Sequence, residues 1–199
     1  GIFLYECSEI IIENNYLMYN QWYGVQMKKC HQIKIVNNYI EPQIRNGINI
    51  LDSERISITE NEIRGCLESG IYLGKANRSE IKSNNLTLNW DGIEFEYSSD
   101  NIIKSNIVNE SSNYGICISY CSHENTVQNN DFLNNKYEIG LGTFTENGDV
   151  QIETIQESDT TGNPNPSNPP FKIPIEALYL GFFGLLAALG VMYLILKRR

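Results

Sequence analysis

The sequence predicts an all-β chain folded as a parallel β-helix of about six coils, followed by a stalk and one C-terminal transmembrane helix. The first observation is composition: 25 of the 199 residues are Asn and 27 are Ile, whereas Ala occurs only once before residue 177. A chain with few helix formers and many strand and turn formers is not a helix bundle, a coiled coil or an ordinary α/β enzyme. The other two observations are a repeat of 22 or 23 residues and an uncharged apolar run near the C-terminus.

Each unit of the repeat begins with a glycine that is followed by an aliphatic residue. These glycines are Gly1, Gly24, Gly47, Gly70, Gly92 and Gly115. A second apolar residue follows three positions after each glycine, and an isoleucine follows 11 positions after each of the first five. Within a unit the aliphatic residues alternate over short runs, as they do in β-strands. Three short strands per unit, separated by glycine and asparagine corners, describe one coil of a parallel β-helix.

An asparagine column marks another corner of each coil. Its members are Asn15, Asn38, Asn61, Asn84, Asn106 and Asn130. The last is displaced by one position, because the coil that begins at Gly115 contains one extra residue. Coils stack at the strand spacing of about 4.8 Å, so these amides are predicted to hydrogen-bond up and down the stack as a structural ladder. The glycine column indicates a corner that needs either a small residue or a positive φ.

A column of small residues, six positions after each glycine, contains three cysteines. They are Cys7, Cys30 and Cys121. Cys7 and Cys30 are predicted to lie in adjacent coils with Cα atoms about 5 Å apart, which is within disulfide range. Packing of small side chains explains the same column without a bond, so the sequence leaves the pairing open.

The repeat resembles the right-handed β-helix repeat of the NosD-like family. The residues that carry the resemblance run from Gly1 to Ser8 and continue with Ile10, Ile12, Asn14, Asn15 and Leu17. It extends over residues 1–142 and implies a right-handed solenoid. The family belongs to a wider group of β-helix repeats in carbohydrate-binding proteins and sugar hydrolases. NosD itself is linked to copper delivery, so the resemblance also implies a possible accessory role in copper maturation.

The domain organisation follows from where the columns fade. Residues 1–155 are predicted to form the β-helix with a partial terminal coil, and residues 156–174 form a linker rich in Pro and Asn. Residues 175–196 are predicted to span the membrane as a helix, because an uncharged run of 20 residues spans about 30 Å. The basic tail at 197–199 places that end in the cytoplasm and the β-helix outside it. The acidic body, with 23 Asp and Glu against 12 Lys and Arg before residue 175, disfavours nucleic acid as a partner.

Metal and catalytic motifs are sparse. His31 and His123 are four coils apart, about 19 Å along the stack, so they cannot share a copper ion, and neither a metal nor another cofactor is predicted. The best carboxylate pair is Glu94 and Glu96, which alternate outward on one strand about 6.7 Å apart. That separation suits an inverting glycosidase. An open sheet, however, is expected to leave both carboxylates solvated, without the desolvation that raises a pKa.

Outward aromatic side chains near the same strand suggest a binding face. The candidate ligand-binding residues are Tyr72, Trp90, Glu94, Glu96 and Tyr97. Rings beside carboxylates suit sugars, which stack on an apolar face and hydrogen-bond through hydroxyls. Aromatic residues also stack along a sheet for stability alone.

The sequence therefore predicts a membrane-anchored, extracytoplasmic module. Its role is the binding of carbohydrate or of a cell-surface protein, or structural display. The first alternative is a polysaccharide-processing hydrolase or lyase whose active residues lie partly outside this sequence. The second alternative is the NosD-like copper role.

Overall fold

A computed structural model describes residues 1–119, 121–141 and 150–153 of the chain. The predicted linker at 156–174, the transmembrane helix at 175–196 and the tail at 197–199 lie outside these residues. In the part of the chain that the structure describes, no helix has the length and apolar character needed to cross a membrane.

The described residues form 20 strands that stack into three parallel sheets. The first sheet contains β1 (Ile2–Tyr5), β4 (Val25–Lys28), β7 (Ile48–Leu51), β10 (Ile71–Gly74), β13 (Ile93–Glu96), β16 (Tyr114–Ser119) and β19 (Tyr137–Leu141). The second contains β2 (Ile11–Glu13), β5 (Lys34–Val36), β8 (Ser57–Thr59), β11 (Glu80–Lys82), β14 (Ile102–Lys104), β17 (Asn125–Gln128) and β20 (Val150–Glu153). The third contains β3 (Tyr16–Met18), β6 (Tyr39–Glu41), β9 (Glu62–Arg64), β12 (Asn85–Thr87), β15 (Ile107–Asn109) and β18 (Asp131–Leu133).

The register of the sheets follows the repeat. Ile71 of β10 pairs with Ile48 on one side and with Ile93 on the other. Each coil therefore contributes one strand to each sheet, and the predicted parallel β-helix of about six coils is confirmed. The predicted terminal strand is present as well, since β20 pairs with β17.

The hydrophobic core fills the interior of the coils. Alternate side chains along each strand point inward, so the isoleucine column buries Ile35, Ile58, Ile81 and Ile103 completely. Each fully buried side chain of this size contributes about 1.5–3 kcal/mol relative to an exposed one. Repetition of that contribution from coil to coil holds the stack together.

The asparagine ladder forms as predicted. The backbone N–H and the Nδ2 of Asn61 both donate to Oδ1 of Asn84, at 2.9 and 3.0 Å. Oδ1 of Asn61 accepts the equivalent pair from Asn38. The same two bonds connect Asn15 to Asn38, Asn84 to Asn106 and Asn106 to Asn130. The ladder closes this corner by satisfying buried backbone groups that have no strand partner.

The glycine column is explained by small size and not by backbone conformation. A Cβ atom at Gly47 would meet Gly70 O at 2.7 Å, because the carbonyl of the next coil lies directly against it. Positive φ occurs at other corners, where non-glycine residues adopt it in every coil, such as Lys29 (φ 55°) and Asn37 (φ 52°). Among the described glycines only Gly65, outside the column, has a positive φ.

The small-residue column departs from the prediction in the coil that begins at Gly115. Ser122 occupies the column, since its Oγ accepts a hydrogen bond from Ser98 N at 3.1 Å, whereas Cys121 is exposed with φ 53°. The extra residue of this coil therefore lies before position 121 and shifts the column by one. The thiols of Cys7 and Cys30 are free and donate to the carbonyls of Tyr5 and Lys28.

Candidate functional site

A groove of about 650 Å³ lies on the outer face of the first sheet, at the corner that precedes strands β7, β10 and β13. Its lining combines aromatic rings, carboxylates and amides. The lining residues are Tyr23, Arg45, Asn46, Asn49, Leu51, Leu67, Glu68, Ser69, Tyr72, Trp90, Asp91 and Glu94. We call this surface the sheet-1 groove.

The repeat itself positions the central side chains of the sheet-1 groove. Asn49, Tyr72 and Glu94 are each two positions after a column glycine, so all three point outward from the sheet. Tyr72 pairs in register with Asn49 and with Glu94 on the neighbouring strands. Three different polar groups therefore stand side by side at the strand spacing of about 4.8 Å.

Tyr72 is held in place at the hydroxyl end of its side chain. Its hydroxyl donates to Oε2 of Glu96 at 2.6 Å. A Cβ atom at Gly74 would meet Cε1 of Tyr72 at 2.9 Å, so the missing side chain of Gly74 makes room for the ring. Burial, followed by the hydrogen bond to Glu96, raises the pKa of Tyr72, and the phenol stays protonated. The hydroxyl and the ring of Tyr72 therefore have fixed contacts beside the groove.

Glu94 is less solvated than the sequence analysis expected. Desolvation raises the pKa of this carboxyl group above its usual range, and the charges of Asp91, Glu96 and Glu68 raise it further. A hydrogen bond from Ser69 Oγ at 2.5 Å opposes the shift. The expectation of a fully solvated carboxylate was wrong, because Ser69 and Asp91 on the adjoining corner enclose one side of the strand.

Asp91 adds a second desolvated carboxylate. It is 6% exposed, and its Oδ1 accepts from Tyr114 N at 2.7 Å and from Asn113 Nδ2 at 3.0 Å. Burial raises its pKa, and these two hydrogen bonds limit the rise. On the neighbouring strand, burial and then the charges of Asp91, Glu94 and Glu96 raise the pKa of Cys117 to about 12. That thiol therefore stays protonated and is not a nucleophile at neutral pH.

Buried amides line the other side of the groove. Asn46 Nδ2 donates to Asn49 Oδ1 at 3.1 Å, and Asn46 Oδ1 accepts from Ser69 N at 2.9 Å. Asn49 is 3% exposed, and its Nδ2 has no hydrogen-bond partner within the described part of the chain. A buried donor without an acceptor costs about 1–3 kcal/mol, so Asn49 presents an unmet hydrogen bond at the site.

The rim of the groove contains an exposed ring and an ion pair. Trp90 is 53% exposed, at the corner before β13. Arg45 lies 3.5 Å from Glu68 and stacks over the ring of Trp22 at 5.0 Å from its centroid. The Arg45 guanidinium therefore already contacts both Glu68 and Trp22 without a ligand.

The structure brings together four of the five predicted binding residues. Tyr72, Trp90 and Glu94 line the groove, and Glu96 touches it through the Tyr72 hydroxyl. Tyr97 lies in the corner at the far end of β13 with φ 51° and is not part of the lining. Sequence reasoning missed Asn46, Asn49 and Ser69. Asn46 and Ser69 each directly precede a column glycine, but the residue type at that position changes from coil to coil, so the repeat gave no signal for them.

Metal ligands are not grouped in the described residues. Nowhere within 1–119, 121–141 and 150–153 do three or more His, Cys, Asp or Glu side chains converge as a metal site. His31 instead lies 3.3 Å from Glu54 through its Nδ1.

The fold and the groove together define a parallel β-helix module with an acidic, aromatic surface site. The chain belongs to the right-handed β-helix family, because the family description "right handed beta helix region" matches residues 1–161. The match is to this broad family and does not single out its NosD-like members. No curated protein matches the chain.

Solved structures with a similar fold include carbohydrate epimerases and a phage protein. The A-module of the mannuronan C-5 epimerase AlgE4 of Azotobacter vinelandii is 13% identical with a TM-score of 0.52, over 76% of this chain and 55% of that one. The periplasmic alginate epimerase AlgG is 16% identical with a TM-score of 0.43, over 76% and 43%. The enzymatically active domain of tailspike protein 2 of Bacteriophage CBA120 is 11% identical with a TM-score of 0.36, over 77% and 36%. The chain thus spans about half the length of these structures or less, and identities this low show the fold alone.

The desolvated carboxylate of Glu94 has a consequence for stability. The pKa of Glu94 in the folded chain is raised above its ordinary value of 4.5. Ionisation of Glu94 therefore lowers the free energy of unfolding once the pH exceeds that ordinary value, and this destabilisation increases until the pH passes the folded pKa. Glu94→Gln is therefore expected to raise the melting temperature at about pH 7 and to leave it unchanged well below the ordinary pKa. Circular dichroism melts of the full chain across this pH range measure the difference.

A matched control for this prediction is Glu62→Gln, which changes an exposed glutamate on β9. This variant also removes one negative charge, but from a carboxylate that is exposed to solvent. Its melting temperature should therefore show no pH-dependent increase of this kind. A Glu94 variant that melts lower than the unmutated chain at neutral pH would show that the carboxylate stabilises the groove.

Proposed function

We propose that the chain is an extracytoplasmic β-helix module that binds carbohydrate in the sheet-1 groove. The observation that carries this proposal is the arrangement of rings and polar groups. Tyr72 and Trp90 offer ring surface, while Glu94, Asp91 and Asn49 lie beside them in one groove. Sugars need this combination, because their C–H faces stack on aromatic rings while their hydroxyls hydrogen-bond in fixed directions.

Three properties of the groove support this ligand class. Its volume of about 650 Å³ falls within the range of about 300–1,000 Å³ common for ligand sites. Its polar atoms are fixed by internal hydrogen bonds, such as Ser69 to Glu94 and Tyr72 to Glu96, so little order must be gained on binding. The fold is also shared with the A-module of a mannuronan C-5 epimerase, which supports carbohydrate as a class by analogy only.

The cellular location that we propose rests on the sequence. The uncharged run within 175–196 would anchor the chain in the membrane, and the basic tail at 197–199 would keep that end in the cytoplasm. The β-helix would then face the extracytoplasmic side, where glycans and cell-surface proteins are available.

The test is a glycan array probed with the full chain in mild detergent. Tyr72→Ala combined with Trp90→Ala is expected to abolish binding, because both stacking surfaces are removed. Loss of a single aromatic contact commonly costs about 0.5–1.5 kcal/mol, so Trp90→Ala alone should weaken binding by up to about tenfold. Trp90 is exposed, which makes its single variant a readout that does not depend on folding.

The matched control replaces two exposed tyrosines away from the groove, Tyr16 and Tyr19, by alanine. These variants should bind as the unmutated chain does, and all variants should keep the β-rich circular dichroism spectrum. Absence of binding by the unmutated chain to every glycan would remove the carbohydrate role and favour structural display or a protein partner.

A second candidate function is polysaccharide processing, which one observation favours. Glu94 is desolvated with a raised pKa and lies two residues from Glu96 on the same face, and a desolvated acid paired with a second carboxylate is the arrangement that glycoside hydrolysis uses. Turnover of a bound glycan that Glu94→Gln abolishes would promote this function over simple binding. The copper-accessory alternative has no grouped ligands to support it within the described residues.

A further inference from the structure

We infer that the sheet-1 groove selects glycans that bear free, protonated amino groups and rejects polyuronates. The inference deepens the proposed function and rests on it, since it names the charge class of the glycan that the same groove would take. It is argued from three features: carboxylates that accept hydrogen bonds from neutral donors, a buried amide whose Nδ2 has no acceptor among the described residues, and aromatic side chains in the same lining.

Three carboxylates at the groove, those of Asp91, Glu94 and Glu96, accept hydrogen bonds from neutral donors, whereas Glu68 is paired with Arg45. Asp91 accepts from the Tyr114 backbone and the Asn113 side chain, at 2.7 and 3.0 Å. Glu94 accepts from the Ser69 hydroxyl at 2.5 Å, and Glu96 accepts from the Tyr72 hydroxyl at 2.6 Å. The hydrogen bonds that the structure gives these three groups therefore come from neutral donors.

The positive charge in the lining of the groove is already part of an ion pair. Of the lining residues, Arg45 is the single Lys or Arg, and it lies 3.5 Å from Glu68. Glu94 and Glu96 lie on the same face of β13, and Asp91 lies at the corner before that strand. Carboxylates removed from water are stabilised by a cation placed among them. The groove would therefore attract the ammonium group of a ligand and repel a carboxylate.

Asn49 supplies an independent requirement. Its side chain is nine-tenths or more buried in the groove lining, and its Nδ2 lacks an acceptor among the described residues. Its neighbour on the next strand is Tyr72, which also lines the groove. A ligand that satisfies Asn49 must bring an oxygen acceptor to the side of Tyr72 opposite Glu94.

These two requirements together point to one chemical class. A simple polyamine carries the cation but no oxygen acceptor for Asn49. A polyuronate carries acceptors, but its carboxylates would face Glu94 and Asp91. An amino sugar carries an ammonium group and hydroxyl oxygens on one rigid ring, and that ring can also stack on Trp90 or Tyr72, whose faces attract cations.

The test compares three sets of oligosaccharides of equal length by isothermal titration calorimetry with the full chain. The sets are oligomers of β-1,4-linked glucosamine, the same oligomers fully N-acetylated, and oligouronates. We expect the glucosamine oligomers to bind about tenfold more tightly than the acetylated ones, with the preference falling as salt is added. We expect no binding of oligouronates.

Two double variants test whether Glu94 and Glu96 cause the preference for glucosamine oligomers. Glu94→Gln with Glu96→Gln should lower the affinity for glucosamine oligomers about tenfold or more, while the affinity for acetylated oligomers changes by less than about threefold. The matched control is Glu60→Gln with Glu62→Gln, which removes the same two charges at the same spacing from exposed positions on another face. It should leave the preference intact.

The outcomes separate this inference from the proposed function. Equal affinity for the charged and acetylated oligomers, or tighter binding of oligouronates, overturns the inference while carbohydrate binding stands. Spermidine that binds as tightly as the glucosamine oligomers, with the same loss in the double glutamine variant, also overturns it, because the sugar would then contribute nothing. Absence of binding in every set overturns both.

Discussion

Replacing Asn84 by leucine is expected to lower the stability of the chain severely. Its Oδ1 accepts from the backbone N–H and the Nδ2 of Asn61, at 2.9 and 3.0 Å, and its Nδ2 donates to the carbonyl of Ile58 at 2.9 Å. Leucine keeps the volume but leaves the Asn61 N–H buried without an acceptor. A buried group left unpaired costs about 1–3 kcal/mol, and more than one group is affected here.

The adjacent residue provides the control for this change. Asn85 is exposed on β12, and its Oδ1 accepts a hydrogen bond from the Thr87 hydroxyl at 3.3 Å. Asn85→Leu makes the same substitution one position further along the chain, at the first residue of β12, and exposed changes of this kind stay within about 0.5 kcal/mol. Urea denaturation of both variants measures the difference. Equal midpoints would show that the ladder contributes no more than an exposed asparagine does.

The fold was predictable because a solenoid repeats the same sequence pattern in each coil. A glycine, an isoleucine and an asparagine at fixed offsets define the register of every coil, so a coil with an ambiguous sequence can be aligned by its neighbours. The exception shows the limit of this reasoning. The sequence placed Cys121 in the small-residue column, but the extra residue falls before that position and Ser122 takes the place. Nothing in the repeat itself says where within a coil an insertion is accommodated.

The candidate site was predicted less completely than the fold. Alternation along a strand correctly placed Tyr72 and Glu94 on the outer face, since each side of a strand is fixed by its period of two. Alternation along the strand does not show how far the residues of the neighbouring corner shield Glu94 from solvent, and that shielding determines its desolvation. Asn46 and Ser69 were missed because the position before the column glycine varies in type from coil to coil, so no column draws attention to it.

Replacing Gly92 by alanine, in the middle of the stack, is expected to lower the stability of the chain severely. A Cβ atom there would meet Gly115 O at 2.4 Å and Val108 Cγ1 at 2.3 Å. The first of these is backbone of the next coil and cannot move unless the two coils separate. Overpacking of this kind costs about 1–3 kcal/mol, and occasionally more, and the fixed carbonyl places Gly92 at the upper end.

The comparison for Gly92→Ala is Gly74→Ala, at the end of β10. Its added Cβ would meet Tyr72 Cε1 at 2.9 Å and Leu51 Cδ2 at 3.0 Å, which belong to side chains that can turn aside. We therefore expect Gly74→Ala to lower the urea midpoint by much less than Gly92→Ala, although it displaces the Tyr72 ring and so should weaken binding in the groove. Similar midpoints for the two variants would mean that the coils can part to admit a methyl group. The glycine column would then need another explanation than close approach of stacked backbones.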